Sequence, residues 1–212
     1  MRDFPIFTTE NGVASLVLRE IPYRQCAYIK LIDTLEPEKL LEECRQFCAA
    51  VGAEHIYAAG AECLKKYPLY TSIREMERIW TGIPETKAVA VPVTAQDLSR
   101  WKDLYNNKMV SVPNAAYMND AMAKQMLADG SGYYVYLDDR MIGIGKGSGH
   151  KVEAVASVQP GAGKNVVLAL CRALGGSRFR LEVADSNTGA VALYERMGFV
   201  KTREISRWYH IL

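Results

Sequence analysis

Histidine is scarce in this chain. Its 212 residues hold only His55, His150 and His210, too scattered for local spacing to assemble a zinc cluster. The five cysteines are odd in number and lack paired spacing, so no disulfide framework follows. Cys44 and Cys48 stand four apart on an expected helix, where two thiols on one face mean packing rather than metal. An excess of either charge is also missing: Lys plus Arg is 26 against 24 for Asp plus Glu, a formal net charge of +2. No basic stripe is visible for a nucleic-acid partner. No apolar run is long enough to span a bilayer, and the opening MRDFPIFTTENG has no apolar signal core. These absences predict a protein of a reducing, cytoplasmic compartment, with no metal and no nucleic-acid or membrane partner. No Ser-His-Asp or Cys-His constellation is recognisable either, so nothing in the sequence marks a side-chain nucleophile.

What is present is an ordinary globular composition, 49% hydrophobic and 24% charged. Its periodicities read as an α/β fold, a mixed sheet with helices, in two parts divided at Thr81-Gly82-Ile83-Pro84-Glu85: residues 1–84 and 85–212. In the first part, 14–19 and 26–32 read as strands. Residues 36–51 read as an amphipathic helix bearing Leu40, Leu41, Cys44, Phe47 and Cys48, with Pro37 at its start and Gly52 at its end. A strand over 54–59 and a short helix over 62–66 follow. The second part opens with a strand over 88–93. Helices over 95–106, capped by Thr94, and over 114–128 come next. Strands 133–137 and 141–144 form a hairpin across Asp138-Asp139-Arg140. A flexible glycine-rich connection, 143–149, leads to the strand 152–158. A turn and helix, the strand 178–183, the helix 187–197 and a closing strand from Val200 complete the chain. The order strand, strand, helix, strand over 14–59 is the same as over 141–183. The N-terminal part therefore reads as a half-module, a truncated copy of the second part's C-terminal half.

The chemistry concentrates between Val158 and Phe199. Gly161-Ala162-Gly163-Lys164 is not a P-loop: Val158 stands where the first glycine belongs, and Asn165 replaces the hydroxyl residue that would hold Mg²⁺. The physics of such a turn still applies. Backbone N–H groups of residues 161–166 at a helix start, with the positive end of its dipole, suit a diphosphate. Gly143, Gly145, Gly147 and Gly149 join two strands and open no helix, so no Rossmann fingerprint exists there. In the run Asn187-Thr188-Gly189-Ala190-Val191-Ala192-Leu193-Tyr194-Glu195-Arg196-Met197-Gly198-Phe199, helical spacing puts Ala190, Leu193 and Met197 on one side with Tyr194 beside them. Gly198 fits the position after the helix. Asn187, a poor helix former, sits seven residues before Tyr194.

From about Lys87 to Leu212 this pattern resembles the GCN5-related N-acetyltransferase (GNAT) superfamily in element order and in the Asn187-to-Phe199 signature. The resemblance implies acetyl transfer from acetyl-CoA, a co-substrate, to a primary amine on a small molecule or peptide. It implies that the turn after Val158-Gln159-Pro160 wraps the CoA pyrophosphate, with Gly161, Ala162, Gly163, Lys164, Asn165 and Val166 as cradle. It places Asn187 against pantetheine and Tyr194 as proton donor to the departing thiolate. Glu153 on the central strand is the expected base, and an exposed N–H near Val158 the expected oxyanion donor. The family's turn arginine and one glycine are missing, and Lys164 supplies a point charge instead of a fork. The alternative is an idle module that senses acyl-CoA or binds a protein. Trp208 and Tyr209 are candidates for the acceptor pocket, the core or a homodimer interface.

Overall fold

The computed structural model describes residues 5–113 and 115–212. Along it run β1 (Ile6–Thr9), β2 (Gly12–Val17), α1 (Ile21–Arg24), β3 (Cys26–Thr34), α2 (Pro37–Ala50) and β4 (His55–Ala59). A 3₁₀ turn (Glu62–Lys66), β5 (Leu69–Ile79), β6 (Val89–Pro92), α3 (Leu98–Met109) and α4 (Asp120–Ala128) follow. Then come β7 (Gly132–Leu137), β8 (Arg140–Ser148), β9 (Lys151–Ser157), α5 (Gly163–Leu174), β10 (Arg178–Ala184), α6 (Thr188–Arg196) and β11 (Val200–His210). The chain forms two compact units. The first holds the chain through Ile73 together with Glu204–Leu212, and the second is Arg74–Arg203. The division therefore falls inside β5 and β11 rather than in the Thr81–Glu85 stretch, and the C-terminus belongs to the first unit.

In the first unit β1, β2 and β3 pair antiparallel, α2 crosses over, and β4 returns parallel to β3. The apolar face of α2, Leu40, Leu41, Cys44 and Cys48, packs on Ala14, Leu16, Ile29, Ile56 and Tyr209. Pro37 opens this helix as expected, since its missing N–H would have no partner there anyway. Tyr209 is thus a core residue, and Trp208 stands edge-on to Tyr28 at 5.6 Å within the same unit. The register of β3 on β4 runs unbroken from Cys26↔His55 to Lys30↔Ala59.

The second unit repeats that plan. β6, β7, β8 and β9 pair antiparallel, α5 crosses over, and β10 lies parallel to β9. Two expectations change here. Gly143 to Gly149 is not a flexible connection: β8 continues to Ser148, and only Gly149, with φ +53°, belongs to the turn. The glycines alternate along β8 and clear a seat for α5. A Cβ on Gly143 would lie 2.6 Å from Val166 Cγ2, one on Gly145 2.8 Å from Leu170 Cδ2, and one on Gly147 2.8 Å from Leu174 Cδ1. Strand period two thus meets helix period four. The second change concerns α3, which begins at Leu98; the Thr94 hydroxyl donates to the Asp97 carboxylate (2.7 Å) instead of capping a helix from Ala95. The expected start of the next helix, Asn114, lies outside the described residues, and α4 begins at Asp120, capped by Asn119 Oδ1 accepting from Met122 N–H (2.9 Å). The hairpin turn is as expected, with Asp138 and Asp139 both at positive φ.

Burial pushes the Cys44 and Cys171 thiols up to about 12 and that of Cys48 up to about 11. Iodoacetamide at pH 8 is therefore expected to modify the half-buried Cys26 and Cys63 first, with these three thiols protected until unfolding. Peptide mass mapping checks this, and early labelling of Cys171 would contradict it. Among the described residues no helix is long and apolar enough to cross a membrane.

Candidate functional site

The second unit differs from the first where its crossover strands meet. β10 stays on β9 only through Arg180↔Lys151 and Leu181↔Val152, and beyond these the strands part. At the same place β9 carries an irregularity. Lys146 faces Ala154 and Gly147 faces Val152, which leaves Glu153 as an extra residue in the ladder. A bulge of this kind re-aims a side chain. The Glu153 carboxylate accepts from the Lys146 ammonium and from the Ser148 hydroxyl (3.2 Å).

A cavity of about 120 Å³ lies at the parting, lined by Glu153 and Val155 of β9, Glu182 of β10, Tyr105 of α3, and Asn187 and Tyr194. Tyr194 is 8% exposed, its ring 5.8 Å from Phe199. Burial, with a smaller contribution from the Cys171 thiol, pushes its phenol up to about 12, so it is a neutral hydroxyl at ordinary pH. Asn187 lines the cavity and also caps α6, its Oδ1 accepting from the Ala190 N–H (3.3 Å). That cap explains why a poor helix former stands there.

The oxyanion donor expected near Val158 is not available: the Val158 N–H donates to the Ile142 carbonyl at 2.9 Å. Antiparallel ladders bond alternate residues. The N–H groups of Ala154 and Ala156 therefore turn toward β8, whereas that of Val155 turns toward the gap left by β10. The amide that turns toward the gap lies three residues before Val158, because the bulge and the parting, neither of them visible in composition, decide which way each amide turns.

The turn before α5 is also more selective than expected. Val166 N–H donates to the Ala162 carbonyl (3.1 Å) and its side chain is fully buried, so Val166 belongs to the helix and core and not to the cradle. The Ala162 N–H donates to Gln159 (3.2 Å). Gly163, Lys164 and Asn165 open the helix with no carbonyl a turn back, no side-chain cap and no acid in the first turn. The Asn165 side chain is engaged by the Thr86 hydroxyl (3.3 Å), leaving its backbone for the turn. Gly161 holds φ +81° with open space where a Cβ would be. Gly163 serves packing: a Cβ there would lie 2.9 Å from Leu193 Cδ2.

Lys164 is not the only cation near this helix start. It lines a cavity of about 530 Å³ with Arg78 and Arg196, and that lining includes no carboxylate. The Arg78 Nε is buried without a hydrogen-bond partner. Sequence reading missed both arginines. Arg196 reads as an ordinary last-turn cation, and Arg78 lies in a strand whose charges hide its pattern. Among the described residues the first unit has no equivalent of this site. At the start of α2 the N–H groups of Leu35 and Glu36 are taken by the Asn11 carbonyl (3.0 and 3.1 Å), Pro37 has no N–H, and Glu38 puts an acid in the first turn.

No protein-family model matches the sequence, and no curated protein matches it significantly. Solved structures do. A GCN5-related N-acetyltransferase from Sphaerobacter thermophilus aligns with a TM-score of 0.62 at 14% identity, over 95% of this chain and 76% of that one. A functionally unknown conserved protein from Staphylococcus epidermidis aligns at 0.60 and 14%, over 99% and 94%. A tandem GNAT protein from the clavulanic acid biosynthesis pathway aligns at 0.56 and 12%, over 94% and 78%. The chain has the GCN5-related N-acetyltransferase fold, a mixed α/β architecture.

Proposed function

We propose that the protein is an acyl-CoA-dependent N-acyltransferase that moves an acetyl group from acetyl-CoA to a primary amine. The observation that carries this reading is the parting of β9 and β10 beside an uncapped helix start. The residues fit the co-substrate. Backbone N–H groups of Gly163, Lys164 and Asn165 suit a pyrophosphate, and the carboxylate-free cavity of Lys164, Arg78 and Arg196 suits further phosphate charge. The cavity of about 120 Å³ has room for a small acyl end.

Within it the chain's own groups divide the work. The Val155 N–H donates to the thioester carbonyl oxygen as charge develops there. The acceptor nitrogen attacks the carbonyl carbon, the new C–N bond forms, and the C–S bond breaks. Glu153 takes the proton the amine gives up, and the Tyr194 hydroxyl gives one to the sulfur. Asn187 fixes the start of α6 and so the position of Tyr194, about two turns further along the same helix face.

Titration calorimetry is expected to show micromolar acetyl-CoA binding, and a panel of amines is expected to yield steady thiol release. No heat at high micromolar ligand would remove the enzyme reading; binding without any thiol release would favour an acyl-CoA sensor. The double variant Lys164→Ala/Arg196→Ala is expected to weaken acetyl-CoA binding by about tenfold, about 1.4 kcal/mol. That loss should shrink as salt rises, because exposed cations are screened more than backbone amides.

A further inference from the structure

A second cavity of the same unit, about 570 Å³, opens at the N-terminal ends of β9 and β10. Arg178 and Arg180 line it, with Lys151, Arg203 and His150. Two of the acids paired with these cations lie beneath them. The Glu77 side chain is 13% exposed and Glu75 15%, whereas Arg178, Arg180 and Arg203 are 51, 47 and 68% exposed. Glu77 Oε2 alone receives both Arg178 (Nη2, 2.8 Å) and Arg180 (Nε, 2.9 Å). The terminal nitrogens of Arg180 are outside that pair. Arg203 bonds Glu75 (3.2 Å), and Lys151 bonds Glu182 Oε1 (2.6 Å). Four cations thus face three carboxylates, an excess of one positive charge, before His150 is counted.

This cavity and the Tyr194 cavity adjoin. Glu182 lines both, and Ser148, which lines the cationic one, holds Glu153 of the other. Arg178, Arg180 and Glu182 alternate on one face of β10, where same-face neighbours are about 7 Å apart.

We propose that the acceptor is a small amine carrying a carboxylate about 7 Å from its nitrogen, two strand residues along β10. The amine sits at Glu153 and Glu182, and the carboxylate is gripped by the guanidinium groups of Arg180 and Arg178. This assignment rests on the acyl-transfer reading. An excess of one cation matches a monoanion better than a doubly charged phosphate. Planar guanidinium groups favour the two oxygens of a carboxylate. An amine without the anion leaves those arginines without a ligand, and an acid without the amine meets Glu153 and Glu182 in the wrong sign.

The test uses 5-aminovalerate, whose amine and carboxylate are about 6 Å apart when extended, with n-pentylamine and valerate as half-ligands. Each is titrated into the full chain with and without CoA. 5-Aminovalerate is expected to bind at least tenfold more tightly than either half-ligand. Arg178→Gln/Arg180→Gln is expected to abolish that preference and leave n-pentylamine binding unchanged. Glu77→Gln, which keeps both guanidinium groups and removes their shared carboxylate, is expected to tighten 5-aminovalerate binding and guards against misreading a folding defect. Equal binding of n-pentylamine and 5-aminovalerate, a preference that survives the double variant, or no binding of 5-aminovalerate at millimolar concentration overturns the proposal. Acetyl-CoA is titrated separately. Its failure to bind would strike the transfer reading alone, and its binding beside a lost 5-aminovalerate preference would strike the acceptor alone.

Discussion

Tyr194→Phe is expected to lower kcat by about a hundredfold with its best acceptor, within the usual range for a positioned proton donor, and to leave acetyl-CoA affinity unchanged. The ring stays against Phe199, so packing is kept and only the hydroxyl is removed. The pH profile separates this role from others. Burial holds the phenol at about 12, so the donor remains protonated as pH rises through 8, 9 and 10. Tyr194 therefore contributes no alkaline fall in kcat below about pH 11, because deprotonation, the step that would disable it, comes only near its raised value. Stopped-flow or steady-state thiol release measures both points. An unchanged kcat in the phenylalanine variant removes Tyr194 from the mechanism. An alkaline limb near pH 9 that disappears in that variant would show that its phenol titrates in the ordinary range.

Gly143→Ala is expected to destabilise the second unit by about 1–3 kcal/mol, the usual cost of forcing atoms into a packed core. At roughly 2–4 °C per kcal/mol for a chain of this size, the melting temperature falls by about 2–12 °C. The new methyl would lie 2.6 Å from the Ala156 carbonyl oxygen as well as from Val166 Cγ2. The first of these is backbone in the neighbouring strand and cannot swing aside. Gly189→Ala provides the opposite sign. Its Cβ meets nothing within 4 Å, its φ is not positive, and it lies in the first turn of α6. There alanine is expected to be neutral or stabilising by up to about 1 kcal/mol. Calorimetric melting of both variants tests the pair, and a Gly143→Ala protein that melts with the parent would overturn the close seating of α5 on β8.

Helices and interior strands were legible because their hydrophobic periods are strong, as in Leu40, Leu41, Cys44 and Cys48 of α2 or Phe179, Leu181 and Val183 of β10. β5 was not. Its run of Arg74, Glu75, Glu77 and Arg78 looks like a solvated link, yet Ile73 and Met76 are buried, and Glu75 and Glu77 are paired by arginines of other segments. Charge satisfied at long range leaves no local trace. The glycines of β8 misled for a related reason. Glycine reads as flexibility, and only the helix above shows that these positions require the absence of a side chain. The motif from Asn187 to Phe199 led to two residues, Asn187 and Tyr194, that the fold brings to one cavity at a strand end, but which amide turns toward it depends on a register shift that no pattern of residue types records.

The division of the chain also fixes a timetable. Residues 74–203 are contiguous, so the second unit has all its chain once Arg203 has been made. The first unit must wait longer. Its β4 takes Tyr209 opposite Ala58 and His210 opposite Tyr57, and Tyr209 fills part of its core. Chain on both sides of the second unit belongs to the first. During translation its early strands stand with an unpaired edge while the whole second unit is being added, and unpaired edges invite foreign strands. A nascent chain stalled before Glu204 would therefore carry one finished unit and one open one, and its hazard would be aggregation through β4.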